Sequence, residues 1–227
     1  MFPSTSTTYR DDTALAGFYR PAEAARIARV PRNRLAAWKH EGIVVPRFKI
    51  EVADDAPEWG YTFAEVVYLR LLRVLRDHEV PLERAVKAVQ HLESRYGPPG
   101  PAWSDVRIFT QGRDVYVEGK DEWEVTVATR AGQKVATVLF GEEFERLRER
   151  ADALLIPAQF RPFVEIDPAA RSGLPIVRGT TIETNLLYRL HEQGHSPQRI
   201  HEFYPVVSLP QIEGAIKFEG FLEAEAA

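Results

Sequence analysis

The chain has 227 residues, 44% of them hydrophobic and 27% charged, with a formal net charge of −4. That is globular material, long enough for one large core or several small ones. It contains no cysteine, which excludes disulfides, thiolate zinc sites and cysteine nucleophiles together. Met1 to Thr8 is polar, and no run approaches the roughly 20 apolar residues of a membrane span. No membrane partner and a cytoplasmic location are therefore expected. The charge is unevenly distributed. Residues 20–49 hold eight Lys/Arg (Arg20, Arg26, Arg29, Arg32, Arg34, Lys39, Arg47, Lys49) against Glu23 and Glu41. Residues 97–160 set eight basic against eleven acidic groups, and 161–227 set six against nine. A basic front ahead of an acidic remainder is the pattern of a nucleic-acid-binding head on a protein-binding body.

Residues 1–17 read as a flexible N-terminal segment. From Phe18 the sequence predicts a short helix in which Pro21 suits the first turn and Ala24, Ala25, Ile27 and Ala28 form an apolar face. Pro31 opens a second helix, with Leu35, Ala36 and Trp38 at helical spacing, until Gly42 stops it. Two short helices about three residues apart are a helix-turn-helix signature. Ile43 to Pro46 and Phe48 to Ile50 read as short β pieces, with Glu51 to Trp59 as a loop before Tyr61, which together make a wing. Thr62, with Glu65 at the capping-box position, opens a long helix to about Asp77 whose buried side carries Val66, Leu69, Leu72, Val74 and Leu75. Pro81 starts another helix through Val86, Val89 and Leu92, ending at Gly97.

Over residues 18–96 these features resemble the MerR-type winged helix-turn-helix. The resemblance rests on Glu23-Ala24-Ala25, Leu35-x-x-Trp38-x-x-Glu41-Gly42-Ile43-x-x-Pro46, Gly60-Tyr61-x-Phe63, Leu69 to Arg76 and Val80-Pro81-Leu82. It implies binding of operator DNA through Arg32, Arg34 and Lys39 on the second helix and Arg47 and Lys49 in the wing. At two positions where the family carries phosphate-binding arginines, this chain has Ala36 and Thr62. Retention of the fold for dimerisation or protein contact is the competing reading.

Gly97-Pro98-Pro99-Gly100-Pro101 can join neither helix nor sheet and marks a boundary. Beyond it, Val106 to Phe109, Val115 to Val117, Trp123 to Val127 and Val135 to Leu139 alternate or run apolar between glycine turns, as an antiparallel meander does. A charged amphipathic helix follows over 141–153. Such a small sheet with one helix buries little alone, so residues 97–160 are expected to help form a homodimer.

The stretch from Ile166-Asp167-Pro168 through Gly173-x-Pro175 and Arg178-Gly179-Thr180 to Gly194-x-Ser196-Pro197 and Tyr204-Pro205-x-x-Ser208-Leu209 reads as a short strand, a Gly/Pro turn and three compact helices. Gly194 caps the first, Pro197 opens the second, and Ser208 with Pro210 opens the third. Over residues 161–221 this resembles the bacterial domain-of-unknown-function family 433. Its members serve as antitoxins to PIN-type ribonucleases, alone or behind a helix-turn-helix, which for this chain implies a VapB-type antitoxin. The resemblance implies toxin contacts at Arg171, Arg178 and Tyr204, because arginine can pair with the carboxylate cluster in which such nucleases hold Mg²⁺. The arginine usual two residues after the turn glycine is Thr181 here.

Two strings invite an enzymatic reading. His191-Glu192-Gln193-Gly194-His195 is literally H-E-x-x-H, but Gly194 and Ser196-Pro197 end the helix at the second histidine, so the imidazoles would not converge on zinc. Gly173 to Thr180 lacks the Gly-Lys-Ser/Thr ending of a phosphate loop. No paired carboxylates or nucleophilic triad stand out, and no cofactor is expected. Trp38, Trp59 and Trp103 are read as core or interface anchors rather than base-stacking platforms.

The sequence thus predicts an α+β protein. Residues 18–96 form a winged helix-turn-helix, 97–160 a small antiparallel β-meander with one helix, and 161–227 a three-helix, helix-turn-helix-like domain. The functional expectation is a non-enzymatic antitoxin that neutralises a PIN-type ribonuclease toxin and represses its own operator. A stand-alone MerR-like regulator with a partner- or ligand-sensing C-terminal domain is the alternative.

Overall fold

The computed structural model describes residues 18–46, 48–50, 58–99, 103, 106–111, 114–118, 123–124, 152–167 and 170–226. The fold is α+β, and contacts group the chain into two compact units. One combines the chain up to Val66 with Ile156 onward, and the other is Val67–Leu155.

The first unit begins with β1 (Phe18–Tyr19), α1 (Pro21–Ala28), α2 (Arg32–His40), β2 (Phe48–Ile50) and β3 (Glu58–Thr62). The strands make an antiparallel sheet in the order β1-β3-β2, with Tyr19 opposite Tyr61 and Lys49 opposite Trp59. Pro21 sits at the start of α1, where a missing N–H leaves no intrahelical bond unmade, and Glu23 reaches back to the Arg20 amide at 2.9 Å. Ala24, Ala25, Ile27 and Ala28 are buried, as are Leu35 and Trp38 of α2.

Both helices end in the same hydrogen-bonding pattern. At α1, Val30 N donates to Ala25 O and Arg29 N to Arg26 O, with Arg29 left-handed at φ 56°. At α2, Ile43 N donates to Trp38 O and Gly42 N to Lys39 O, with Gly42 at φ 71°. These are Schellman closures, which satisfy the last carbonyls of a helix. The second corrects one expectation: Ile43 to Pro46 is not a β piece. The Ile43 and Val44 amides both turn back to Trp38 O, at 2.9 and 3.4 Å, and Pro46 has no N–H for a ladder. The sheet instead recruits Phe18 and Tyr19, so the helix expected from Phe18 starts only at Pro21.

Thr62 closes the sheet and caps α3 (Phe63–Asp77). Thr62 N donates to Glu65 Oε2 at 2.7 Å, and Glu65 N donates to Thr62 Oγ1 at 3.2 Å. This is the reciprocal capping box the sequence predicts.

Within the second unit, α3 stops where Val80 N donates to Leu75 O, and α4 (Leu82–Tyr96) follows Pro81 and ends at Gly97, φ 79°. Strands β4 (Arg107–Gln111), β5 (Asp114–Glu118) and β6 (Trp123–Glu124) form an antiparallel meander in that order. Ile108, Val115 and Val117 are buried, Trp103 is buried with Nε1 donating to Gly97 O at 3.0 Å, and α4 packs on β5. The unit ends in α5 (Asp152–Leu155). The expected strand over Val135 to Leu139 and most of the helix over 141–153 lie outside the described residues.

The first unit resumes with β7 (Val164–Ile166) and β8 (Pro175–Val177), an antiparallel pair, then α6 (Thr184–Glu192), α7 (Pro197–Phe203) and α8 (Leu209–Ala226). Val177, Leu187, Ile200, Val207, Ile212 and Ala215 form one buried cluster among them. Gly194, φ 92°, closes α6 with another Schellman pattern: His195 N donates to Leu190 O and Gly194 N to His191 O. Ser196 Oγ caps α7 by accepting from Arg199 N. Within α8, Gly214 permits a close approach, since a Cβ there would collide with the Phe163 side chain.

Candidate nucleic-acid interface

Helix α2 buries Leu35 and Trp38 and turns the rest of its surface to solvent: Arg32, Asn33, Arg34, Ala36, Ala37 and His40 are all exposed. At about 100° per residue, Arg32, Ala36, Lys39 and His40 share one side of the helix. Arg34 flanks the opposite border. Neither Arg32 nor Arg34 is drawn into the core, so both guanidinium groups can meet phosphate oxygens.

Lys39 behaves differently. Its Nζ lies 4.9 Å from the centre of the Trp59 ring, on β3. Trp59 is half-buried and pairs in register with Lys49 of β2. A cation over an indole face gains about 0.5–1 kcal/mol when exposed and more when desolvated, so this contact fixes α2 against the wing strands. All three basic residues lie on α2, Arg32 and Lys39 on one side and Arg34 at the opposite border, and Lys49 is on the adjacent wing strand. Arg47 lies outside the described residues.

Two of the eight basic residues in the front segment are not interface groups at all. Arg26 Nη1 pairs with Glu219 Oε2 of α8 at 2.6 Å, and Glu219 is 0% exposed. Arg29 is buried, with its guanidinium 5.6 Å from the Phe221 ring centre. The local positive excess at the surface is therefore smaller than the sequence count. Both departures from the family pattern also acquire locations. Ala36 lies on the exposed side of α2, beside Arg32 and His40, whereas Thr62 is buried and holds the α3 cap.

The C-terminal candidates are placed less favourably for recognition. Arg178 is half-exposed. Its Nε donates to Arg161 O at 2.5 Å, Nη2 to Val164 O at 3.3 Å, and Nη1 pairs with Glu165 Oε2 at 3.3 Å. Arg171 is exposed, left-handed at φ 48°, and its Nε donates to Thr181 O at 2.9 Å. Tyr204 is half-buried and packs against the three-helix core. Arg178 ties the turn after β8 back to β7 and the residues before it, and Arg171, in the β7–β8 connection, ties to that same turn. Beside α7, Phe203 and Val206 are exposed apolar residues, at 44% and 71%. The Phe203 ring lies edge-on to His195 and 4.8 Å from the Arg199 guanidinium.

The H-E-x-x-H string is split by the cap of α6. His191 lies in the last turn and His195 beyond it, with His191 Nδ1 3.3 Å from the His195 carbonyl oxygen. His201 Nδ1 donates to Val207 O at 2.7 Å. Among the described residues no group of three or more His, Asp or Glu side chains is placed to hold a metal ion.

Known proteins resolve the chain into recognisable parts. Residues 19–92 match the family of MerR HTH regulatory proteins, and residues 164–218 match the family described as protein of unknown function DUF433. The chain therefore carries a MerR-type helix-turn-helix domain and a DUF433 domain. Relatives named uncharacterized HTH-type transcriptional regulators, from Mycobacterium tuberculosis and Mycobacterium bovis, are 29% identical over 117 residues, which is 52% of this chain. The match spans 50% of the length of those relatives. The crystal structure of Rv2018 from Mycobacterium tuberculosis shares the fold, with a TM-score of 0.56 at 20% identity, over 87% of this chain and 96% of that one. No described helix is long and apolar enough to cross a membrane.

Proposed function

We propose that the protein is a cytoplasmic, non-enzymatic transcription regulator that binds operator DNA through α2 and the adjoining wing. The observation that carries this is the pair of exposed arginines, Arg32 and Arg34, on a helix-turn-helix α2 whose Lys39 is braced on wing residue Trp59. The relatives named HTH-type transcriptional regulators support it. Binding as a homodimer, assisted by the 97–160 segment, predicts an operator with two related half-sites about one helical turn apart. The test is retardation of DNA from upstream of its own gene at low and moderate salt. Binding that weakens with salt, and weakens for every sequence on charge reversal of Arg32 and Arg34, supports the reading. No retardation at either salt sinks it.

The finer reading is that the 161–227 module neutralises a PIN-type ribonuclease, which would make the chain an antitoxin. The DUF433 match over 164–218 favours it. Of the proposed contacts Arg171, Arg178 and Tyr204, Arg171 is the most accessible. Mixing the purified chain with a ribonuclease encoded beside it should give a stable complex and lost nuclease activity. Unchanged activity and no complex would leave a regulator without a toxin.

A further inference from the structure

Glu219 is a carboxylate with no exposure, on a stretch of α8 that is otherwise apolar: Phe218, Phe221 and Leu222 surround it in sequence. Two other helices, α1 and α6, converge on it. Arg26 of α1 reaches Oε2 at 2.6 Å, and Thr184 Oγ1, in the first turn of α6, donates to Oε1 as well as lying 3.2 Å from Pro175 O. Asn185 completes the group. A guanidinium has only donors, so the amide is placed with its oxygen toward Arg26, accepting from Nη1 at 2.7 Å and Nη2 at 3.2 Å. Nearby, the Tyr19 hydroxyl donates to Gly173 O, so the MerR-type and DUF433 segments meet through polar as well as apolar contacts.

Holding the two segments together does not by itself require charge. A well-packed apolar pair of similar volume would hold α1 to α8 as well or better, because desolvating two ions offsets most of their attraction. What a buried ion pair adds is a steep dependence on geometry: small shifts of either helix make or break it. The connections on both sides are short. Thr184 and Asn185 stand three and four residues beyond Thr181, the end of the partly exposed turn from Arg178, and Arg26 lies in the last turn of α1, whose closure at Arg29 and Val30 leads into Pro31 and α2.

We propose that the Arg26–Glu219–Thr184–Asn185 cluster is a mechanical joint through which an event at the C-terminal module's 178–183 turn sets the order of α1 and α2. The joint is a property of this chain's own packing. Its bearing on operator affinity rests on the DNA-binding reading above.

The test is a double-mutant comparison in the full chain, read by hydrogen exchange. Thr184→Val removes the hydroxyl from Glu219 at nearly constant shape. It should raise amide exchange across residues 21–40 about tenfold while leaving α4 (Leu82–Tyr96) unchanged. In a chain carrying Arg26→Met and Glu219→Leu, the same Thr184→Val change should leave residues 21–40 unaffected. If the double replacement does not fold, Glu219→Gln serves as the background, and the Thr184→Val effect should shrink severalfold. An effect of Thr184→Val that is absent, or equal in both backgrounds, overturns the joint. A positive exchange result with no DNA retardation by the wild-type chain would leave the joint standing and remove the DNA reading.

Discussion

Arg32 and Arg34 on α2 and Arg178 ahead of α6 carry the same guanidinium, yet their surroundings give them different work. The α2 pair projects from a helix whose apolar side is satisfied by Leu35 and Trp38, so its charge faces outward. Arg178 donates to two carbonyl oxygens and pairs with Glu165, and its own carbonyl accepts from Gln211 Nε2 at 3.1 Å. Arg26 is the extreme case, mostly withdrawn from water and paired with a carboxylate that is fully buried. A basic residue contributes to recognition only to the extent that its donors are left for a partner, so the front segment's charge divides into an outward portion and an inward one.

Breaking the inward portion should cost the most. Arg26→Met leaves Glu219 buried without its cation, and removing one partner of a buried pair typically destabilises by about 3–5 kcal/mol. The effect should depend on pH. Burial already pushes the Glu219 carboxyl above its usual range, with Arg26 pulling it back, and losing Arg26 pushes it higher. A carboxyl whose folded value exceeds its unfolded value binds its proton more tightly when folded. Stability is therefore greatest below the unfolded value, about pH 4, and falls as pH rises toward the folded value. The difference between Arg26→Met and wild type should be small in acid and largest near neutrality in urea titrations. A deficit constant with pH would contradict a buried, ionised partner. Arg178→Ala comes next, at about 2 kcal/mol, because hydrogen bonds to a charged donor are each worth about 1.5–3 kcal/mol and this side chain is partly solvated. A midpoint unchanged in urea would mean that Arg178 is available to a partner after all.

How much of this division was legible in the sequence depends on the range of the interaction. The helices at 21–28, 32–40, 63–77 and 82–96, and the three C-terminal helices, follow from local signals: Pro21, Gly42, the Thr62/Glu65 box, Pro81, Gly97, Gly194 and Ser196 each act within a few residues of chain. The exposed side of α2 also follows from local periodicity. The pairing of Phe18 with Thr62 and of Arg26 with Glu219 joins residues far apart in sequence, and no spacing rule reaches across 193 positions. One signal was available: Arg26 sits between Ala25 and Ile27, and Glu219 between Phe218 and Gly220. A charge set directly between small or apolar neighbours invites a search for an opposite one elsewhere. Ile43 to Pro46 misled because its β-branched residues suit a strand, whereas the helix cap before it had already engaged the Ile43 and Val44 amides.

The outward portion should respond in the opposite sense, with little effect on stability and a clear one on binding. Arg32→Glu with Arg34→Glu should shift unfolding by no more than about 0.5 kcal/mol, as exposed substitutions usually do, while weakening DNA retardation for all sequences. A large loss of stability would show that these groups hold the fold. The smallest and most informative change is Ala36→Arg. Ala36 lies on the exposed side of α2 beside Arg32 and His40, and alanine and arginine differ little in helix propensity. The substitution should leave the urea midpoint nearly unchanged and steepen the slope of log affinity against log salt by about 0.9, one phosphate's worth of released counterion. A steeper slope would place the middle of α2 against the DNA backbone. An unchanged slope, with binding otherwise intact, would mean that the helix docks through its first turn and that the position filled by Ala36 faces away from the duplex.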